Sequence, residues 1–356
     1  MVEWKKLGEV CTFNRGRTIT AKDAVDGGIP VIAGGQAPSY YHNEANRNGE
    51  SITVAGSGAY AGFVSYWNQP IFVSDAFTVE PSDVLTHKYL FHWLKKNQTN
   101  VFATQKGAGV PHVHGKDIAN FIIPIPTLSE QQQIVGILDT FTASIDNLKE
   151  QIAQRRKQYE YYRDQLLDLE EKPGVEMKTL GEVGEICMCK RIMKEQTSNC
   201  GEIPFFKIGT FGGKADAFIS RDLFEEYKTK YSYPEKGEIL ISAAGTIGRS
   251  VTFNGEDAYF QDSNIVWVAN DEKNVTNKYL YYFYQIAEWK TDGGTIKRLY
   301  NYNLKNTNIP VPSLQEQRRI VSILDTFESS IQNLEAQLSQ RVKQYEYYRN
   351  KLLTFE

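Results

Sequence analysis

The stretch IPIPTLSEQQQIVGILDTF, from Ile123 to Phe141, returns as IPVPSLQEQRRIVSILDTF from Ile309 to Phe327, 186 residues later. KQYEYYR repeats at the same offset, at 157–163 and 343–349. A repeat of this length gives the chain two equivalent packing problems, so two similar solutions are expected. The repeat extends outward more weakly. KLGEV (Lys6–Val10) is answered by TLGEV (Thr179–Val183), and HKYLFHWL (His87–Leu94) by NKYLYYFY (Asn277–Tyr284). LGEV recurs at an offset of 173, so the second globular part is about 13 residues longer than the first.

Each repeated stretch opens a helix. Thr127-x-x-Glu130 and Ser313-x-x-Glu316 follow a proline directly and have the form of capping boxes. Apolar residues then recur at alternating steps of four and three. They are Ile134, Leu138, Phe141, Ile145, Leu148, Ile152, Tyr159, Tyr162, Leu166 and Leu169 in the first copy. The second copy has Ile320, Leu324, Phe327, Ile331, Leu334, Leu338, Tyr345, Tyr348, Leu352 and Phe355. A 3.5-residue period predicts a left-handed coiled-coil seam, with each helix roughly 42 residues and ~63 Å long. Pro173 and Gly174 end the first helix. The arrangement predicts four segments: a globular part over 1–126, a long helix over 127–172, a linker and second globular part over 173–312, and a second helix over 313–356.

Arg155 and Arg341 interrupt the seam. Such a residue either fixes register at a cost in stability or extends its stem outward to solvent. The apolar stripe also exceeds two positions per heptad. Val135, Ile137, Val321 and Ile323 flank the seam, and Tyr161 and Tyr347 lie off it. A stripe this wide implies contact with more than one helix, supplied by a partner protein or by the chain's own domains.

Composition excludes several classes. With 41% hydrophobic and 23% charged residues the chain is globular rather than disordered. No apolar run approaches ~18 residues, and MVEWKKLGEV lacks the apolar core of a signal peptide, so a cytoplasmic protein is expected, with no membrane partner. The cysteines (Cys11, Cys187, Cys189, Cys200) form no CxxC pair, and no fourth ligand accompanies the last three. They read as free thiols, and no metal is expected. The net charge is −3, so a nucleic-acid surface would have to be a local patch.

The globular parts read as mixed α/β with many short strands. GESITVAGSGAYAGFVSYW and GEILISAAGTIGRSVTF each place a small-residue loop between two β-rich runs. No GxxxxGK[ST], no GxGxxG between strand and helix, no methyltransferase or helicase motif and no nuclease carboxylate cluster occurs. No catalytic residue is expected. Polar residues gather in matching places instead. Arg15, Arg17 and Thr18 follow the first LGEV; Lys190, Arg191 and Lys194 follow the second. Ser57 and Tyr60 lie in the first small-residue loop, and Thr246 and Arg249 in and just after the second. Lys106, His112, His114 and Lys116 lie in QKGAGVPHVHGK; Lys297, Arg298 and Asn301 lie in DGGTIKRLYNYNLKN. Such side chains beside glycine loops suit phosphate and base-edge contacts, while each taken singly is also an ordinary solvated loop residue.

The two LGEV starts, GEILISAAGTIG, and the two proline-pair boundaries opening long helices make the whole chain resemble the specificity subunits of type I restriction-modification systems. The resemblance implies an α+β fold: two similar target-recognition domains joined by two long antiparallel coiled-coil helices as a pseudo-two-fold tandem repeat. It implies that each domain reads one half of a split double-stranded DNA target. It also implies that the helices set the spacer and dock two modification (methyltransferase) subunits, in an adenine-specific complex. Restriction subunits for translocation and cleavage would join them. S-adenosylmethionine, ATP and Mg would sit on those partners and none on this chain. A coiled-coil scaffold binding only proteins, and an enzyme with an unfamiliar site, are the competing expectations.

Overall fold

The computed structural model describes residues 2–293 and 297–355. Residues 294–296, inside the DGGTIKRLYNYNLKN segment, lie outside the described residues. No described helix is long and apolar enough to cross a membrane.

The chain folds as two compact units, and neither follows the linear order. One joins Met1–Gln151 to Leu334–Glu356; the other is Ile152–Asn333. Each therefore holds a globular domain, the start of one long helix and the end of the other. The helices span Leu128–Leu167 and Leu314–Leu352, a few residues shorter than the seam pattern suggests. Within each unit a helix start meets a helix end, so the pairing is antiparallel.

Both domains have the same sheet plan. A two-stranded antiparallel ribbon ties each domain's beginning to its end: Glu3–Lys6 with Ile122–Ile125, and Glu176–Thr179 with Asn308–Val311. The first four-stranded sheet runs, in spatial order, Cys11–Arg15, Ala76–Pro81, Glu50–Ala55, Val64–Asn68. Its counterpart runs Glu185–Met188, Ile265–Ala269, Ile239–Ser242, Ser250–Thr252. A three-stranded sheet with one parallel pair completes each domain. The surplus residues of the second domain have a definite place. The offset between equivalent strands jumps from 177 (Tyr40 to Ala217) to 189 (Glu50 to Ile239). A helix at Arg221–Lys230, capped by Ser220, fills the gap.

LGEV is a structural motif. It forms a single helical turn in each domain, with Glu9 and Glu182 accepting from the backbone N–H of Lys6 and Thr179. Leu7 and Leu180 are fully buried. A Cβ on Gly181 would meet the Lys305 stem at 2.3 Å, so only glycine fits there without displacement.

The helix starts hold to their own domains by a clamp that appears twice. Gln131 is fully buried; its Nε2 donates to the carbonyls of Val84 (2.8 Å) and Pro126 (3.0 Å), and its Oε1 accepts from Thr86 N–H (2.9 Å). Gln317 repeats this with Asn274 (2.8 Å), Pro312 (2.9 Å) and Thr276 N–H (2.9 Å). Tyr89 and Tyr279, buried on the helices His87–Lys96 and Asn277–Tyr284, donate to the carbonyls of Pro124 (3.0 Å) and Pro310 (2.8 Å). The proline pairs thus serve as acceptors that fix each helix to its domain.

The first capping box is complete: Thr127 and Glu130 exchange bonds in both directions. The second is half made. Ser313 Oγ accepts from Glu316 N–H, but the Glu316 carboxylate takes Arg319 as a two-pronged partner at 2.6 and 2.8 Å. Gln133 stands at the equivalent place in the first copy and offers no such cation.

The seam arginines have an aromatic role. In the first unit Phe141 is flanked by the Arg341 guanidinium at 5.8 Å and the stacked Tyr348 ring at 5.2 Å. In the second unit Phe327 is flanked by Arg155 at 5.7 Å and Tyr162 at 5.4 Å. Arginine and tyrosine are one heptad apart, so both reach the same phenylalanine of the antiparallel helix. Tyr345 is buried, and its hydroxyl meets His92 Nδ1 at 2.9 Å. Its counterpart Tyr159 reaches Gln285 Oε1 at 2.7 Å. The first tyrosine of each KQYEYYR therefore packs on its own unit.

Candidate nucleic-acid interface

Three segments far apart in sequence meet at one edge of each domain. In the first domain, Gly56 N–H donates to Asp75 O (3.0 Å), Gly58 N–H to Pro111 O (3.0 Å) and Val113 N–H to Gly56 O (3.0 Å). These bonds seat the small-residue loop on QKGAGVPHVHGK. Arg17 N–H donates to Val73 O (3.0 Å), just before the turn that carries Asp75. Ser57, Lys106, His112, His114 and Lys116 thus lie together, with Arg15, Arg17 and Thr18 on the adjoining strand end. Tyr60 is exposed on the same loop.

The backbone of the small-residue loop is only partly open. Part of that backbone is spent on the neighbouring segment, and the exposed groups are side chains. Not all the cations are free. Lys106 pairs with Asp117, which, with the His114 N–H, holds that carboxyl below the usual carboxylate range. Arg17 lies 3.7 Å from Glu44 and over the Phe72 ring. His112 and His114 stack at 6.3 Å with near-parallel rings.

The second domain builds the same edge with a deeper recess. Leu299 N–H donates to Ala243 O (2.9 Å), the counterpart of the Val113–Gly56 bond. A cleft of about 540 Å³ gathers Arg191, Lys194, Lys207, Gln261, Asn264 and Arg298. Arg191 is paired with Asp262 at 2.9 Å, and Lys207 with Asp216 at 2.8 Å. Arg298 donates to Asn264 Oδ1 at 2.5 Å. Lys190 lies outside the cleft, over the Tyr231 ring at 5.1 Å. Thr246 and Arg249 belong to the neighbouring hairpin, where Arg249 donates to Phe211 O at 3.0 Å. Lys297 and Asn301 are exposed beside Arg298. Asp75, Lys207, Gln261 and Asn264 were not expected from sequence. Asp75 and Asn264 share one signal, an Asx residue directly before the strands Ala76–Pro81 and Ile265–Ala269, visible only once the strands are aligned; Lys207 and Gln261 have none.

The cysteines supply no thiolate cluster. Burial pushes the Cys11 and Cys189 thiols up to about 12, while Cys200 is exposed. Among the flanking helix residues, Val135 and Val321 pack partly against the cores of their own units. Ile323 is half-buried and Ile137 is exposed. Tyr161 and Tyr347 are 61% and 60% exposed, each touching the next tyrosine edge-on.

Fold and site together define a duplicated recognition protein, with two like domains that present like polar edges. The family model for the type I restriction modification DNA specificity domain matches residues 1–155 and 173–344. A putative type I restriction enzyme specificity subunit from Haemophilus influenzae is 45% identical, covering 99% of this chain and 96% of its own length. The EcoR124I/EcoR124II specificity subunit of Escherichia coli is 29% identical, covering 99% and 94%. The crystal structure of the S subunit from M. genitalium superposes with a TM-score of 0.67 at 19% identity, over 100% of this chain and 97% of that one. The chain belongs to the type I restriction-modification DNA specificity family. It is a specificity component of a type I restriction-modification system.

Proposed function

We propose that each globular domain reads one half of a bipartite double-stranded DNA sequence, and that the two long helices set the spacer between the halves. The carrying observation is the duplicated edge: the same three segments meet in both domains by equivalent backbone bonds, but with different side chains. Such halves address an asymmetric split site. A near-neutral chain suits this role if partner subunits supply much of the phosphate-neutralising charge.

Two modification subunits dock on the helices, and restriction subunits join the complex. S-adenosylmethionine, ATP and Mg²⁺ are held by those partners. Support for the docking face comes from Tyr161 and Tyr347, which are exposed large aromatics at equivalent places on the two helices. Replacing both with alanine is expected to weaken assembly with the modification subunit about tenfold, as loss of an interface anchor does. The melting temperature of the isolated chain should stay close to that of the parent, because surface changes cost within ~0.5 kcal/mol. Unchanged assembly in a titration of the two subunits contradicts the docking assignment.

The experiment for the main proposal maps methylated bases across the genome of cells expressing this chain with its modification subunit. The expected motif has two fixed parts separated by a constant number of unspecified base pairs. A contiguous motif, or none, contradicts the proposal.

A further inference from the structure

One cradle recurs at the edge of both domains. In the first, the backbone of His112 bridges Ser57 on one side and Lys106 on the other, the latter by N–H···O bonds of 2.8 and 3.0 Å. In the second, the backbone of Arg298 bridges Ala244 and Asp292, the latter at 2.9 and 3.1 Å. Behind each stands the residue before the last strand of the four-stranded sheet. Asp75 O accepts from Gly56 N–H at 3.0 Å, and Asn264 O from Ala243 N–H at 2.7 Å. His112 and Arg298 thus occupy the same structural position. The scaffold is shared and the side chain is not.

The chemistry at this position differs accordingly. Asn264 anchors one Arg298 nitrogen at 2.5 Å, leaving the rest of the guanidinium fork for an external acceptor pair. Ser263, beside that anchor, holds φ at +52°, an uncommon conformation for a side-chain-bearing residue. The Arg298 fork is preorganised in a half-buried setting. His112 is exposed, and no hydrogen bond to its ring occurs among the described residues. A neutral imidazole offers one donor and one acceptor, where the guanidinium offers only donors.

We propose that positions 112 and 298 are the equivalent base-reading positions of the two domains, with Arg298 reading the paired acceptors of a guanine edge and His112 reading a different base edge in the other half-site. The proposal rests on the DNA-reading function above. It explains how one fold presents two different half-specificities: a single position in a common cradle changes its donor and acceptor pattern.

The test is the methylation map of complexes carrying Arg298→Ala, Arg298→Lys, Asn264→Ala or His112→Ala beside the unaltered chain. Arg298→Ala is expected to relax one guanine position in one half-site, by between about fivefold and 150-fold in preference, as loss of a bidentate contact does. Arg298→Lys should relax the same position, because it loses the fork. Asn264→Ala should relax it less. His112→Ala should alter one position in the other half only. Melting curves confirm that each variant folds. If Arg298→Ala and Arg298→Lys instead weaken methylation uniformly with every motif position kept, Arg298 is a phosphate contact and the proposal fails. In that case the bipartite map of the unaltered chain still upholds the DNA-reading function; that function fails only if the unaltered chain shows no split motif.

Discussion

Replacing Gln131 with leucine is expected to destabilise the unit that contains it by about 3 kcal/mol or more. The side chain satisfies three backbone groups: the carbonyls of Val84 and Pro126, and the N–H of Thr86. Leucine fills similar space but leaves all three without partners, and each unsatisfied buried group costs ~1–3 kcal/mol. For a unit of this size each kcal/mol lowers the melting temperature by ~2–4 °C, so a fall of ~6–12 °C is expected. Gln131→Glu separates hydrogen bonding from packing. Its buried carboxylate faces two carbonyl oxygens, so its pKa rises in the folded state. The destabilisation is then present at neutral pH and relieved as pH falls through the raised value. A glutamate variant with the parent's pH profile contradicts the clamp. Gln317→Leu should act equally on the other unit.

Deleting one heptad from each long helix, at sequence-equivalent positions, is expected to weaken methylation at the original spacing. Seven residues remove ~10 Å, about three base pairs of duplex, while keeping the seam in phase. Recovering the original site would require deforming the DNA, at ~1–6 kcal/mol. The original motif should therefore lose at least about fivefold in methylation, and any new activity should appear on a spacer about three base pairs shorter. Methylation mapping reads both outcomes. An unchanged spacer contradicts the role of the helices as the ruler.

Periodic features were legible in the sequence because they recur locally. The seam positions Ile134, Leu138, Ile320 and Leu324 are buried as the 3.5 period requires, and Tyr159 and Tyr161 separate into a packed and an exposed residue. Gln131 and Gln317 were not legible as clamps, since a polar residue in a helix start reads as solvated surface until its backbone partners are known. The half-made second capping box turns on one neighbour, Arg319, which competes for Glu316. The extra helix at Arg221–Lys230 was countable but not locatable, because its flanks carry no recognisable repeat. The segments of the candidate interface could be singled out in the sequence, but not their meeting. The pairings Ser57 with His112 and Ala244 with Arg298 span 55 and 54 residues, and nothing local announces them.

Modular reading of two half-sites is tested most directly by exchanging residues 1–126 for the corresponding domain of a relative with a different known motif, and mapping methylated bases in cells that also express the modification subunit. The expected map changes one half of the motif and leaves the other half and the spacer as they were. A map in which both halves change contradicts the account.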